Sequence, residues 1–333
     1  MADPPGGLIA GFDAGQTHTT CRLAPADGML HNDGWVVLAE GEGSGICHLA
    51  APAGPQRFDD ALRSSLAAAR AALPSAWADR PLQAAAVGAS GIEQGTATQD
   101  RGRQLAARAL ELPLERLTVC GDERTALRGA FGRAAGIVVI SGTGAIAVGR
   151  DAAGVVHRCG GWGWLLDGAG SAMDIGRDGL ALSLRMADRR LPVTPLLADL
   201  WQALGVDPAD PGGPQQIKAM VVDPAFGPAG FARLAPLVAR WAAAGDPACG
   251  AILAASSGAL AAMVATVARE LALVAPVPVC AMGGAVEHLP GLAAEFWRQL
   301  GPLLPGVRPQ VPAGDACQGG LELAREQLLG APP

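Results

Sequence analysis

The sequence predicts an α/β protein built from two related halves. Its 333 residues are long for one hydrophobic core and sufficient for two, since half of them are hydrophobic. Short apolar runs end in glycine turns at three places, which are Asp13–Thr17, Ser141–Gly144 and Gly283–Gly284. Two α/β halves, each with its own glycine turn, form the simplest architecture that explains this recurrence.

The first half reads as three strands followed by alternating helices and strands. The predicted strands are Leu8–Phe12, Thr19–Leu23, Trp35–Ala39, Ala84–Val87 and Leu117–Cys120. Apolar residues at helical spacing predict helices over Arg57–Leu73 and Gln104–Leu110. The resulting order is βββαβαβ.

The second half begins in the same way and then becomes mostly helical. Strands are predicted at Gly136–Ile140, Ala145–Val148, Val155–Arg158 and Pro276–Ala281, with helices across Gly170–Glu270 and at Leu289–Leu300. We therefore expect an N-terminal α/β domain over residues 1–119 and a C-terminal α/β domain with a helical insertion over 120–318. The sequence leaves open whether the last helix, 319–329, returns to the first domain.

Composition argues against several classes of protein. A net charge of −6 disfavours a nucleic-acid partner, which requires a concentrated basic face. The seven scattered cysteines contain no CxxC pair, so we expect neither a zinc knuckle nor a disulfide framework. Unpaired cysteines of this kind predict a protein of the reducing cytoplasm. We expect no signal peptide, and no membrane span in the interrupted apolar region Ala251–Val279. A homodimer remains an option.

Two of the glycine turns have the composition of phosphate-binding hairpins. The first, around Gly15, Gln16 and Thr17, lies between two strands and lacks the Lys-Ser/Thr ending of a P-loop. Small residues at a hairpin tip can present backbone N–H groups to a phosphate, and Asp13 could position Mg²⁺. Gly142, Thr143 and Gly144 repeat the design after a second buried strand. The alternative for each turn is an ordinary hairpin.

Asp122 is the candidate catalytic residue. It follows the predicted strand Leu117–Cys120 and precedes a predicted helix. An aspartate there either caps the helix or acts as a general base at the carboxyl end of a strand, where α/β proteins place such groups. The residues alone leave both interpretations open.

The segment from Gly160 to Ser171 interleaves glycines with Trp162 and Trp164. It predicts a close-packed turn held by aromatic rings, in which glycine lets the backbone approach a ligand. Asp167 and Ser171 could bond hydroxyl groups. The alternative is that both tryptophans belong to the core.

Taken together, these motifs resemble the N-acetylglucosamine kinase-like branch, with the BadF/BadG-type ATPases, of the hexokinase and actin superfamily. The resemblance runs from about residue 8 to 325 and rests on Gly11–Thr17, Asp122 before Ala-Leu-Arg-Gly-Ala, Ser141–Gly144, Gly160–Leu166 and Gly283–Val286. It implies two actin-like ATPase (ribonuclease H-like) domains with a cleft between them. It also implies an ATP-dependent sugar kinase acting on N-acetylglucosamine, glucosamine or a related hexose, typically at the 6-hydroxyl.

The resemblance implies a role for each motif residue. Asp13 would serve Mg²⁺, and Asp122 would be the base acting on the sugar hydroxyl. ATP would contact the glycine turns and the late Gly-Gly pair, at Gly15, Gln16, Thr17, Gly142, Thr143, Gly144, Gly283 and Gly284. Gly161 and Trp162 would wall the sugar site.

The chain departs from the branch at three positions. Gln16 replaces a glycine of the usual Asp-Gly-Gly-Gly-Thr turn. Asp167 stands one position away from the usual sugar-contacting carboxylate. The early sugar loop, which usually ends in asparagine, offers Cys47 or His48 instead. We therefore expect altered sugar specificity with the phosphoryl-transfer residues retained.

Two other functions stay open. One is an ATPase that activates a radical dehydratase or reductase through a cysteine-held iron–sulfur cluster, for which Cys120 and Cys159 are the nearest candidates. The other is a non-catalytic sugar or nucleotide sensor.

Overall fold

The computed structural model describes residues 6–27, 30–31 and 34–330, and its chain divides into two compact units. The first unit comprises Met1–Ala134 and Val311–Pro333, and the second comprises Ala135–Gln310.

The first unit contains a five-stranded sheet with the order β5-β2-β1-β6-β7. Its strands are β1 (Leu8–Ala14), β2 (His18–Pro25), β5 (Ala39–Ser44), β6 (Leu82–Ala89) and β7 (Leu117–Cys120). Two short strands, β3 (Leu30–His31) and β4 (Gly34–Trp35), pair antiparallel in a separate two-stranded sheet. The helices are α1 (Gly54–Ala71), α2 (Ala97–Leu110), α3 (Asp122–Phe131) and, from the end of the chain, α12 (Ala316–Leu329).

The second unit contains a sheet with the order β10-β9-β8-β11-β12. Its strands are β8 (Gly136–Ser141), β9 (Ala145–Arg150), β10 (Val156–Gly160), β11 (Val277–Met282) and β12 (Val307–Pro309). The helices are α4 (Ala172–Ala187), α5 (Pro195–Ala203), α6 (Gly213–Val221), α7 (Gly227–Ala232), α8 (Ala235–Ala243), α9 (Pro247–Glu270), α10 (Gly284–His288) and α11 (Leu292–Leu303).

The two sheets have the same topology. In each, the first three strands in chain order are antiparallel and the last two run parallel to the first. The first two glycine turns, at Gly15–Thr17 and Gly142–Gly144, each join the first two strands of their sheet, whereas Gly283–Gly284 follows the parallel strand β11. The carboxyl ends of the parallel strands therefore meet at one edge within each unit, where α/β proteins place their functional groups.

Helices cover both faces of the first sheet. On one face, α1 and α2 pack over a cluster that includes Phe12, Leu23 and Phe58. On the other face, α12 covers Ile9, Ala84 and Ala86 through Leu321 and Ala324. The last helix of the chain thus belongs to the first unit.

Close approach by α12 depends on glycine. A β-carbon on Gly11 would overlap the backbone of α12, and one on Gly319 would overlap the carbonyl oxygen of Thr125 in α3. Arg128 of α3 adds ion pairs to Glu322 (2.6 Å) and Glu326 of α12. These contacts hold α3 and α12 against each other and α12 against β1.

The long helix α9 lies in the core of the second unit. It is the one helix among the described residues that is long and apolar enough to cross a membrane, and half of that apolar window is buried. Its side chains Leu260, Val264 and Val267 pack on the sheet, and α4–α8 form a second cluster around Trp201. This burial accounts for the apolar run near residue 251.

The domain boundary expected at 119/120 is wrong, because the first unit continues to Ala134. The helix α3 belongs there because it packs on α12 and β6; a β-carbon on Gly88 of β6 would overlap Thr125.

The third strand, expected at Trp35–Ala39, lies instead at Ala39–Ser44. Gly41 and Gly43 in this strand let the backbone of α1 approach closely, so packing overrides the weak strand preference of glycine. Neither β12 nor α10 was predicted from the sequence.

Candidate functional site

The first glycine turn, Gly15-Gln16-Thr17, is an exposed hairpin tip between β1 and β2. The Gly15 N–H donates to the His18 carbonyl oxygen at 3.1 Å, which closes the turn. The side chains of Gln16 and Thr17 are exposed. The turn can therefore offer backbone and side-chain donors to an anion, while Gln16 occupies space that glycine would leave free.

The loop after β5 rests on this turn. The Ile46 N–H donates to the Gly15 carbonyl oxygen at 2.9 Å, and Gly45 lies against the Gln16 backbone so closely that a β-carbon would overlap it. Cys47 is half-buried, and His48 is exposed. The structure thus brings the predicted sugar loop and the predicted phosphate turn together within the first unit.

Asp13 lies near the end of β1, and Asp122 lies two residues beyond the end of β7. The strands β1, β6 and β7 are parallel neighbours, so both carboxylates lie at the same edge of the sheet. Burial raises the pKa of Asp13, the His18 charge lowers it and the Asp315 charge raises it. Burial also raises the pKa of Asp122 to about 7, and the charges of Glu123 and Asp13 add to that rise.

Asp122 is the first residue of α3, whereas the N-cap is Gly121, which forms no side-chain cap. The interpretation of Asp122 as a helix N-cap is therefore wrong. One of its oxygens, Oδ1, accepts the Glu123 N–H at 3.0 Å. A carboxyl group with a pKa near 7 at the end of a strand is suited to accept a proton at neutral pH.

The surroundings of Asp13 fit a magnesium ion. This desolvated carboxylate lies within electrostatic reach of the carboxylates of Asp122 and Asp315, and a cation would relieve their repulsion. The described residues contain no cluster of three or more His, Cys, Asp or Glu side chains able to hold a metal. That is compatible with Mg²⁺, which commonly takes one or two carboxylates and completes its shell with water and substrate phosphates.

The second glycine turn is Gly142-Thr143-Gly144, between β8 and β9. The space beside Gly142 and Gly144 is open, so a ligand could approach the backbone there. The turn is tied to the start of α4: Ser141 Oγ donates to the Gly170 carbonyl oxygen at 2.6 Å, and the Ala172 N–H donates to that of Gly142 at 2.8 Å.

Gly283 and Gly284 lie beside this second turn in the same unit. Gly283 has a φ of +100°, and a β-carbon there would lie 2.6 Å from the Ser141 carbonyl oxygen. Glu287 Oε1 accepts the Gly283 N–H at 2.8 Å and fixes the start of α10. Glycine is therefore required at position 283, and Gly284 next to it leaves an exposed surface without a side chain.

The segment after β10 differs from the predicted close-packed turn. Trp162, Leu165 and Leu166 are 59%, 76% and 87% exposed, so neither a tight aromatic turn nor a core role describes them. Trp162 stacks under the Arg158 guanidinium at 4.3 Å. Gly161 is exposed and Asp167 half-buried. Four glycines with positive φ, at 160, 161, 163 and 170, let the backbone project these side chains outward.

Sequence reasoning missed three charged residues near the first-unit carboxylates. Glu123 is buried and folds back over Gly121. Asp315 caps α12, and the third residue, Arg22, donates to it from Nη1 and Nη2, each at 2.8 Å from one carboxylate oxygen. An aspartate before a helix predicts a helix cap, so the capping role of Asp315 could be read from the sequence. Its proximity to Asp13 could not, because it depends on a contact between segments that are distant in sequence.

The comparison with known families matches residues 10–295 to the model of the BadF/BadG/BcrA/BcrD ATPase family. The chain belongs to this family. The resemblance inferred from the motifs is confirmed.

Two curated relatives match parts of the chain. An N-acetylmuramic acid/N-acetylglucosamine kinase of Clostridium acetobutylicum is 38% identical over 89 residues, 27% of this chain and 29% of that protein. An N-acetyl-D-glucosamine kinase of Dictyostelium discoideum is 34% identical over 146 residues, 44% of each chain. These matches span less than half of the relatives' lengths.

A solved structure matches almost the whole chain. It is described as a putative N-acetylglucosamine kinase from Chromobacterium violaceum, with 27% identity, a TM-score of 0.73 and coverage of 96% of this chain and 99% of that one. The expected pair of actin-like α/β domains is confirmed. The roles assigned to individual residues remain predictions.

Proposed function

We propose that this protein is an ATP-dependent sugar kinase that phosphorylates an amino sugar or related hexose, with N-acetylglucosamine or glucosamine favoured, at the 6-hydroxyl. The observation that carries the proposal is Asp122, a desolvated carboxyl group with a pKa of about 7 on the same sheet edge as Asp13. The names of the relatives support the same substrate class.

Each unit supplies part of the phosphate-binding apparatus. In the first, Gly15, Gln16 and Thr17 would contact phosphates at the exposed hairpin tip. In the second, Gly142, Thr143 and Gly144 would do the same, and Gly283 and Gly284 would lie under the adenosine. Backbone N–H groups at such turns bind phosphate oxygens without a P-loop lysine.

Asp122 would take the proton from the sugar hydroxyl as that oxygen bonds to the γ-phosphorus of ATP. The bond between that phosphorus and the bridging β,γ-oxygen breaks, and ADP leaves. Proton transfer to a positioned base commonly contributes 10²–10⁴-fold to the rate. Positioning and electrostatic stabilisation of the transferred group supply most of the remainder.

Asp13 would hold Mg²⁺, directly or through water. When bound, that ion neutralises charge on the phosphates of ATP. Cys47, His48, Gly161, Trp162 and Asp167 would contact the sugar. Trp162 and His48 are exposed and therefore available to a ligand.

The test is ADP release with MgATP against a panel of hexoses, amino sugars and N-acetylated sugars. Strong stimulation by one sugar, with the phosphate on its 6-position by NMR, is the expected result. ADP release independent of sugar would favour the activator ATPase. No release with any sugar would favour the sensor and overturn the proposal.

The activator alternative makes a separate prediction about cysteines. All seven are free thiols in the structure, and Cys120 is buried at the end of β7. An iron–sulfur protein would be brown and would lose its visible absorbance in a Cys159→Ser variant. A colourless protein with sugar-dependent turnover is the outcome we expect.

A further inference from the structure

Two contacts within the first unit fix the orientation of His48. The Ala50 N–H donates to His48 Nδ1 at 3.2 Å. On another side, the ring lies against Gly91, where a β-carbon would be only 3.0 Å from His48 Cδ2. Gly91 has a φ of +79°, so any other residue there would be strained as well as crowded. An exposed side chain is thus held in a defined position.

The hydrogen bond from Ala50 also determines what the ring can offer to a ligand. In a neutral imidazole one nitrogen accepts and the other carries the proton. Because Nδ1 accepts the Ala50 N–H, the proton lies on Nε2. The free edge of His48 is therefore a hydrogen-bond donor, which suits carbonyl or hydroxyl oxygens and has nothing to accept from an ammonium group.

His48 lies at the same edge of the sheet as the candidate base. Gly91 follows β6, and Asp122 follows the neighbouring parallel strand β7. Beneath the loops, Ile92 and Leu49 pack near Gly102 of α2 together with Val119 of β7. This apolar support ties the His48 loop to the strand that ends beside Asp122.

We propose that His48 determines sugar specificity, with its fixed Nε2–H donating to the oxygen of the substrate's 2-substituent, either a hydroxyl or the carbonyl of an N-acetyl group. The substrate class is then an N-acyl amino sugar or a neutral hexose, and a free amino sugar is disfavoured because its amine is largely cationic at neutral pH. The proposal rests on the sugar kinase function proposed above, and it chooses between two substrates that the function leaves open.

The test compares kcat/KM at pH 7 for N-acetylglucosamine, glucose and glucosamine in the wild-type protein and two variants. His48→Phe keeps a flat ring without a donor, and His48→Gln places an amide N–H near the position of Nε2. His157→Phe, in β10, is the matched control for replacing a histidine with phenylalanine.

We expect the wild-type protein to prefer N-acetylglucosamine or glucose over glucosamine by at least about 10-fold. His48→Phe should lower kcat/KM for the preferred sugar by about 10-fold, the value of one hydrogen bond, and leave the KM for MgATP unchanged. In His48→Gln most of that kcat/KM should be retained, because the amide replaces the donor. A merely structural role of the His48 ring would not predict this recovery.

If His48→Phe and the wild-type protein have the same kcat/KM for each sugar, the proposal is overturned and the kinase function stays intact. A wild-type preference for glucosamine would overturn it as well. If no sugar stimulates ADP release in the wild-type protein, the kinase function fails and this proposal fails with it.

Discussion

Replacing Asp122 with asparagine should abolish the proposed kinase activity and stabilise the fold at neutral and alkaline pH. Asparagine keeps the size of the side chain and an oxygen to accept the Glu123 N–H, but it cannot take a proton from a hydroxyl. We expect turnover to fall by at least about 10²-fold, with ATP binding largely retained.

The gain in stability follows from the raised pKa. Unfolding restores Asp122 to its ordinary value near 3.8, whereas the folded protein raises it to about 7. Between these values the folded state binds the extra proton, so the wild-type protein loses stability as pH rises from about 4 to 7. At about 1.4 kcal/mol per unit, the loss is at most about 4 kcal/mol.

The assay is chemical denaturation of both proteins at pH 4 and pH 8, without metal or nucleotide. The stabilities should nearly coincide at pH 4, and Asp122→Asn should be more stable by about 1–3 kcal/mol at pH 8. Asp188→Asn is the control: hydrogen bonds from Arg190 lower the pKa of this exposed carboxyl, so its small effect should have the opposite sign.

Two results would refute this reasoning separately. Near-normal turnover in Asp122→Asn would show that Asp122 is not the base. Equal stabilities at pH 8 would show that its surroundings neither desolvate nor repel the carboxylate.

Three further predictions address the pH profile and the packing of the fold. Sugar-dependent ADP release should fall about tenfold per pH unit below about pH 7, because Asp122 must be ionised to accept a proton; a flat profile from pH 5 to 7 would contradict this. Thr19→Val should raise stability in thermal melts by about 1 kcal/mol, because Thr19 Oγ1 is buried without a hydrogen-bond partner; a loss would mean that the hydroxyl is satisfied. Gly319→Ala should destabilise the fold by about 1–3 kcal/mol, because the added methyl group would overlap Thr125. The control Gly250→Ala in α9, where space is open, should stabilise the fold by about 0.4–1 kcal/mol. Similar melting temperatures for the two variants would count against close packing of α12 on α3.

The sequence alone predicted the order of most strands and helices, because buried strands such as Leu117–Cys120 are bounded by clear glycine and polar signals. It misplaced β5, because glycine has a weak preference for strands and the glycines of β5 are explained only by their close contact with α1. It also placed the domain boundary before α3, since only the contact with α12, distant in sequence, assigns α3 to the first unit.

For the candidate site, motif spacing singled out Asp13, Asp122 and the glycine turns, because these residues lie at or just beyond strand ends, and their roles stay predictions. It could not show that Trp162 is exposed, since an apolar residue between glycines predicts burial. Nor could it reveal the Ala50 contact that fixes the His48 ring, because side-chain orientation depends on the folded loop.

The return of α12 to the first unit constrains how the chain folds during synthesis. Ile9, Ala84 and Ala86 are synthesised before the second unit, but their cover, Leu321 and Ala324, is synthesised after it. The second unit, Ala135–Gln310, is contiguous and can complete its core while the ribosome is still translating. The nascent first unit therefore exposes one apolar sheet face until α12 has been synthesised, and truncating the chain before α12 would leave that face permanently open to aggregation.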